Sequence, residues 1–116
     1  MAPTESVWSL LEEDVRQDPG YRDLMVAEAA EALLDGEIEV ARGLLRNVVL
    51  GAFDYGQVAA VAKMPRERVV RALRRSENVT ADTVLRLLGA VQALCGIRLA
   101  VSARVGDGEG WAEAAE

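Results

Sequence analysis

The chain has 116 residues, of which 51% are hydrophobic and five are aromatic, and these figures predict one small domain with a core of Leu, Val and Ala. The formal net charge is −6, and the absence of histidine removes most metal sites and the common nucleophile–base pairs. With no run of about 18 apolar residues and with Cys95 as the single cysteine, neither a membrane span nor an internal disulfide is expected. We predict a cytoplasmic protein that is not an enzyme and uses no cofactor and no metal.

Three helical patterns occupy the first half of the chain. Apolar residues recur at intervals of three and four over residues 4–17, 19–34 and 37–53, as amphipathic helices require. Asp18 followed by Pro19 is a typical helix start, because Asp caps the first turn and Pro fits the first helical position. The sequence therefore predicts three helices in this half.

Two short helices and one longer helix are predicted in the second half. The short helices cover about residues 55–62 and 66–75, and the tight turn Lys63-Met64-Pro65 joins them. After a loop, Thr80 is the expected N-cap of a helix over about residues 81–94. Most of the chain is thus predicted to be α-helical.

A β-strand is predicted near the C-terminus. Residues 97–101 alternate apolar side chains with others, which is the pattern of a strand. A lone strand leaves its backbone edges unpaired, and the chain offers no second strand. We expect two copies to pair this strand across a two-fold axis, with Ile97, Leu99 and Val101 as dimerisation residues. Residues 105–116 are predicted to form a flexible acidic tail.

Charge is segregated along the chain. Residues 1–55 hold 12 acidic and 4 basic side chains and so carry a net charge of −8. Residues 56–104 hold 3 acidic and 9 basic side chains, a net charge of +6, whereas residues 105–116 hold 4 acidic and no basic side chains. Six of the basic residues lie in the stretch KMPRERVVRALRR, residues 63–75. Because a local basic patch attracts a polyanion whatever the overall pI, the middle of the chain is a candidate nucleic-acid surface.

Two short helices joined by a tight turn, with a basic second helix, are typical of a helix-turn-helix motif. The motif needs an apolar and then a small residue in its first helix, apolar residues around the turn and one buried face on its second helix. The sequence meets these needs with Val58, Ala59, Ala62, Met64, Val69, Ala72 and Leu73. It therefore predicts an all-α helix-turn-helix DNA-binding domain of five to six helices, with the short C-terminal strand pairing across a dimer.

The remaining side chains of the motif suit double-stranded DNA. Arg pairs with guanine, Glu accepts from cytosine, and Val70 is suited to contact a thymine methyl group. Residues at helix starts and flanking cations are expected to bind phosphate. The predicted DNA-binding residues are Gln57, Lys63, Arg66, Glu67, Arg68, Val70, Arg71, Arg74, Arg75 and Thr80. The competing interpretation is a solvated arginine-rich helix with no ligand.

Several stretches match a known family in order. They read DPGYRDLMVAEAAEALLDGE, VARGLLRNVV, VAAVAKMPRERVVRAL, ENVTADTVLRLLGAV and GIRLAV. Over residues 18–103 the chain resembles the helix-turn-helix addiction-module antidotes, the HigA-type antitoxins, and related small regulators. The resemblance implies a dimer that represses its own operon by binding a palindrome and, in many members, neutralises a RelE-like ribonuclease toxin. It also implies that Arg66, Glu67 and Arg71 read bases.

Two features depart from the family pattern. Lys63 occupies a turn position that is usually Gly, so we expect a left-handed backbone or a modified turn there. The stretch VQALCGIRL is longer than the usual connection between the last helix and the strand. A longer connection is expected to change the dimer arrangement and with it the half-site spacing.

Two functions follow from these patterns. The first is a homodimeric transcriptional repressor that reads a palindromic operator with the helix over residues 66–75 and is nucleoid-associated when bound to DNA. The alternative is an antitoxin-type module whose acidic N-terminal half neutralises a ribonuclease toxin, although acidic side chains also serve solubility. The predicted organisation is an N-terminal helical extension over residues 1–17, a DNA-binding and dimerisation domain over residues 18–104, and the tail.

Overall fold

A computed structural model describes residues 17–74 and 78–105 of the chain. This part contains five α-helices: α1 (Pro19–Leu34), α2 (Ile38–Ala52), α3 (Tyr55–Ala62), α4 (Arg66–Leu73) and α5 (Ala81–Cys95). The all-α prediction is confirmed for these residues, and no helix among them is long and apolar enough to cross a bilayer. The predicted helix over residues 4–17, apart from its last residue, lies outside the described residues, as do Arg75 and residues 106–116.

Side-chain caps begin three of the five helices. The Asp18 carboxylate accepts two hydrogen bonds from first-turn backbone N–H groups of α1, at 3.0 and 3.2 Å. At α3, Asp54 and Gln57 form a reciprocal capping box. At α5, Thr80 Oγ1 accepts from the N–H of Thr83 at 3.3 Å. These caps fix the helix starts where the sequence predicts them, because each satisfies N–H groups that lack a partner inside the helix.

The core lies where α5 packs against the other four helices, while α1 and α2 form an extensively packed pair. Its largest fully buried apolar residues are Leu45, Leu73, Leu87, Val26, Val48, Val49, Val58, Val69, Val84 and Val91. The described aromatic residues Tyr21, Phe53 and Tyr55 are only partly buried and pack at the edge of this cluster. The predicted core of Leu, Val and Ala is therefore confirmed.

Asn47 is fully buried on α2, and neither its Oδ1 nor its Nδ2 has a hydrogen-bond partner among the described residues. A buried amide without partners costs about 1–3 kcal/mol. We therefore expect Asn47→Leu, which keeps the branching of the side chain, to raise the free energy of unfolding by about 1 kcal/mol. Urea unfolding followed by circular dichroism measures the change, and a loss of stability would show that the amide is satisfied or that the site has no room for the extra volume.

The predicted strand over residues 97–101 is absent, because the described residues contain no β-strand. A strand needs a second strand to complete its ladder, and this single chain supplies none. Gln92 of α5 takes part of that role: its backbone O accepts from the N–H of Ile97 at 3.1 Å, and its Oε1 accepts from the N–H of Leu99 at 2.9 Å. Ile97 and Leu99 consequently pack on the core, whereas Val101 is 81% exposed.

Candidate nucleic-acid interface

The turn between α3 and α4 has one of the two backbones that were expected at Lys63. Lys63 ends α3 at φ 56° and ψ 49°, which is the left-handed region and not a modified turn. The chain then reverses, with the N–H of Met64 donating to the carbonyl O of Ala59 at 3.1 Å, and Pro65 precedes α4. In the described residues Lys63 is the one non-Gly residue with positive φ.

The strained backbone at Lys63 can be tested by replacing this residue and measuring the stability of the protein. A left-handed L-residue costs roughly 1–2 kcal/mol, and Gly escapes that cost but loses more backbone entropy on folding. We expect Lys63→Gly to raise the free energy of unfolding by up to about 1 kcal/mol. Thermal unfolding of Lys63→Gly beside Lys63→Ala separates the effect from the loss of charge. Equal stability of the two variants would contradict a strained turn.

The interior of the motif is packed as predicted. The side chains of Val58, Ala59, Ala62, Met64, Val69, Ala72 and Leu73 are all buried. Because α4 has only eight residues, burial of three of them on one side leaves the opposite side to solvent. The helix thus presents its charged side chains outward.

The outward face of α4 is strongly basic. Arg66, Glu67, Arg68 and Arg71 are exposed, whereas Val70 is half-buried and less accessible than predicted. Two further predicted cations flank the helix, since Lys63 in the turn and Arg74 after the helix are exposed as well. Residues 63–74 carry five basic side chains and one acidic side chain. Such a surface concentrates positive charge on one short segment.

Tyr55 orients one of these arginines, which the sequence did not reveal. The guanidinium carbon of Arg66 lies 5.8 Å from the centroid of the Tyr55 ring, within the range of a cation–π contact. Tyr55 is the first residue of α3 and Arg66 the first of α4, so the turn brings the two helix starts together. In the sequence, the one sign of this contact is the aromatic residue Tyr55 at the start of α3.

A cleft of about 270 Å³ separates α4 from the start of α5. It is lined by Arg68, Arg71, Ala72, Asn78, Val79, Thr80 and Thr83. Thr80 already accepts from the N–H of Thr83, and Asp82 places one carboxylate in the first turn of α5. The two arginines and the partial positive charge of the helix start outweigh this single carboxylate. The cleft therefore suits an anionic group of phosphate size. Thr80 was predicted for this role, whereas Asn78 and Thr83 were not.

Gln57 has fewer groups free to bind DNA than the sequence predicts. Its Oε1 accepts from the backbone N–H of Asp54 at 3.1 Å, and its own N–H donates to the Asp54 carboxylate at 2.8 Å. The N-terminus of α3 therefore already faces a carboxylate, which disfavours phosphate there. Only the Nε2 donors of the exposed Gln57 side chain remain for DNA.

Cys95 shows no sign of a reactive thiol. The side chain is half-buried at the end of α5, and burial raises its pKa, an effect that the nearby Arg22 guanidinium partly offsets. A raised pKa keeps the thiol protonated at neutral pH, whereas the thiolate is the nucleophile. Cys95 therefore behaves as a packing residue.

No protein-family model matches the chain, and no curated protein or solved structure matches it either. The resemblance to the HigA-type antitoxins therefore rests on the quoted stretches of sequence. The geometry of α3, the turn and α4 stands independently of that resemblance, since it follows from burial, backbone angles and charge.

Proposed function

We propose that this protein is a sequence-specific DNA-binding transcriptional regulator, without catalytic activity, that acts as a homodimeric repressor on a palindromic operator. The observation that carries the proposal is the division of α4, which buries Val69, Ala72 and Leu73 and exposes its arginines beside a tight left-handed turn. A cytoplasmic location, at the nucleoid when DNA is bound, belongs to the same proposal.

Base reading is assigned to the exposed residues of α4. Arg66 and Arg71 have the forked donors that pair with guanine O6 and N7, and Glu67 accepts from cytosine N4. The contact of Arg66 with Tyr55 favours one orientation of the guanidinium before DNA arrives. Less side-chain entropy is then lost on binding, which benefits the specific complex.

Phosphate binding is assigned to the surroundings of α4. The cleft between α4 and α5 receives one backbone phosphate through Arg68 and the Thr80 end of α5. Lys63 and Arg74 contact further phosphates on either side of the helix. Such contacts fix the register of the protein on DNA and carry no sequence information.

Dimerisation is assigned to an apolar groove of about 340 Å³ between α1, α5 and residues 99–101. Leu34, Leu85 and Val101 line it and are 70%, 55% and 81% exposed. Residues 100–105 make no hydrogen bond that is described, whereas the N–H of Leu99 already donates to Gln92, so the backbone from residue 100 onward is open to a second copy. A two-fold arrangement then covers the exposed apolar residues and pairs the two edges.

The second candidate function is the antitoxin role. Glu28, Glu31, Asp35, Glu37 and Glu39 are exposed on α1 and α2 and at the turn between them. This acidic surface suits a basic partner such as a ribonuclease toxin. A neighbouring toxin gene and co-purification of its product with the wild type, lost on charge reversal of Glu28, Glu31, Asp35 and Glu37, would support this role. Glu39 is left unchanged in that variant because it pairs with Arg42. It is compatible with DNA binding because α4 is not involved.

Salt dependence of DNA binding tests the proposal without an operator. Each phosphate contact releases counterions, so log K falls with log salt at a slope of about −0.9 per contact. We expect a steep slope on mixed-sequence duplex DNA and a decrease of about 1 in that slope for Lys63→Asn. Arg98→Ala, which removes an exposed arginine outside the motif, is the matched control. A flat slope would contradict DNA binding.

A further inference from the structure

Arg42 on α2 is a charged side chain that the fold buries. Only 4% of it is exposed, and Asn47 is the other buried polar residue in the described ranges. An arginine is rarely buried, because removing its charge from water is costly unless the guanidinium is paired. Its contacts therefore identify what the buried charge does.

The guanidinium of Arg42 joins α2 to the end of α4. Its Nε donates to Glu39 Oε2 at 3.1 Å, and its Nη2 donates to the same carboxylate. Its Nη1 lies 3.4 Å from the carbonyl O of Leu73, to which it donates. Leu73 is the last residue of α4, so a side chain 31 positions earlier holds the C-terminal end of the helix.

The end of α4 needs such a contact. A helix of eight residues is too short to be stable by itself. The carbonyl O of Arg71 accepts from the N–H of Arg74 at 3.1 Å, whereas the other carbonyl groups of the last turn have no partner inside the helix. The backbone leaves the helix at once, since Arg74 is extended at φ −76° and ψ 134°. A cation near these carbonyls is also favoured by the helix dipole. Arg42 meets both needs from a neighbouring helix.

We propose that Arg42 is a positioning residue of the interface: from α2 it holds the C-terminal end of α4 and so fixes the angle at which Arg66, Glu67 and Arg71 face DNA. Glu39, which is largely exposed, orients the guanidinium. The DNA part of this inference rests on the proposed function, whereas the holding of α4 by Arg42 does not.

Hydrogen exchange on the full chain without DNA tests the holding. Arg42→Met keeps most of the side-chain volume and removes the donors, and Arg98→Met is the matched control at an exposed arginine. We expect the amides of Ala72 and Leu73 to exchange about ten-fold faster in Arg42→Met, in proportion to one lost hydrogen bond. The amides of α1 are expected to change less than about two-fold.

The ratio of operator affinity to random-DNA affinity distinguishes a positioning role of Arg42 from a merely structural one, which would leave this ratio unchanged. We expect Arg42→Met to bind its operator about five- to ten-fold more weakly, with random duplex DNA affected only as much as by Arg98→Met. Arg42→Lys restores the charge but not the fork that spans Glu39 and Leu73, so its operator binding stays reduced. If Arg42→Met does not fold, Arg42→Lys carries both measurements.

Two results would overturn the inference: unchanged exchange at the end of α4, or equal acceleration in all five helices. A third overturns only its DNA part, namely equal losses on operator and random DNA. If exchange changes as expected but the wild type prefers no DNA sequence, Arg42 still holds α4 and the proposed function is wrong.

Discussion

Arg71→Ala is expected to weaken operator binding by about 1–3 kcal/mol, which is a factor of roughly 5 to 150, and to relax the preference at one base pair of each half-site. Arg71 is exposed in the last turn of α4 and also lines the cleft next to α5. Ala favours the helix, so the fold is retained while the forked donor is lost. The loss therefore reports on DNA contact.

The measurement for Arg71 is a set of titrations against the operator and each single-base substitution of it. Arg74→Ala is the comparison, because Arg74 follows the helix and is assigned to phosphate; it should weaken all duplexes alike. Equal losses of affinity on every duplex for Arg71→Ala would show that Arg71 binds phosphate and does not read a base. Wild-type affinity of both variants would reject the assignment of α4 as the reading helix.

Leu85→Glu is expected to convert the dimer to monomers and to reduce operator affinity by at least about 100-fold. Leu85 is 55% exposed on α5 and lines the apolar groove, so a carboxylate there is solvated in the monomer but buried in the dimer. Burying an unpaired charge at an apolar interface opposes association strongly. A monomer contacts only one half-site of the operator, so the avidity that the dimer gains from two half-sites is lost.

Sedimentation velocity of Leu85→Glu measures the oligomeric state, with Leu24→Glu as a matched control. Leu24 is 54% exposed on α1 but does not line the groove, so its variant should remain dimeric. A dimeric Leu85→Glu variant would show that the second copy binds elsewhere. A monomeric wild type would contradict the dimer itself.

Local signals predict most of the fold because they act within one turn of chain. The predicted caps Asp18 and Thr80 lie next to the helices they begin, so their effect is visible in the sequence, whereas the cap at Asp54 was not predicted. The left-handed backbone at Lys63 is one of the two alternatives that the family resemblance implies, because the family has Gly at this position. The sequence predicts that α4 continues to about residue 75, whereas the helix ends at Leu73 and Arg74 is already extended.

Long-range contacts explain what the sequence does not predict. Arg42 looks like a surface residue on its helix, and only the packing of α4 against α2 reveals its burial. The contact of Tyr55 with Arg66 depends likewise on how the turn folds back. The predicted strand depends on a partner edge, and Gln92 binds residues 97 and 99 in the single chain.

Selection from a pool of random duplex DNA, followed by sequencing, tests the central claim most directly. At about 0.15 M salt the nonspecific attraction to phosphate is already weakened, so enrichment reports base reading. We predict enrichment of one inverted repeat whose half-sites contain guanines for Arg66 and Arg71. A folded protein that enriches no sequence would contradict DNA reading by α4 and would favour a protein partner for the acidic surface of α1 and α2.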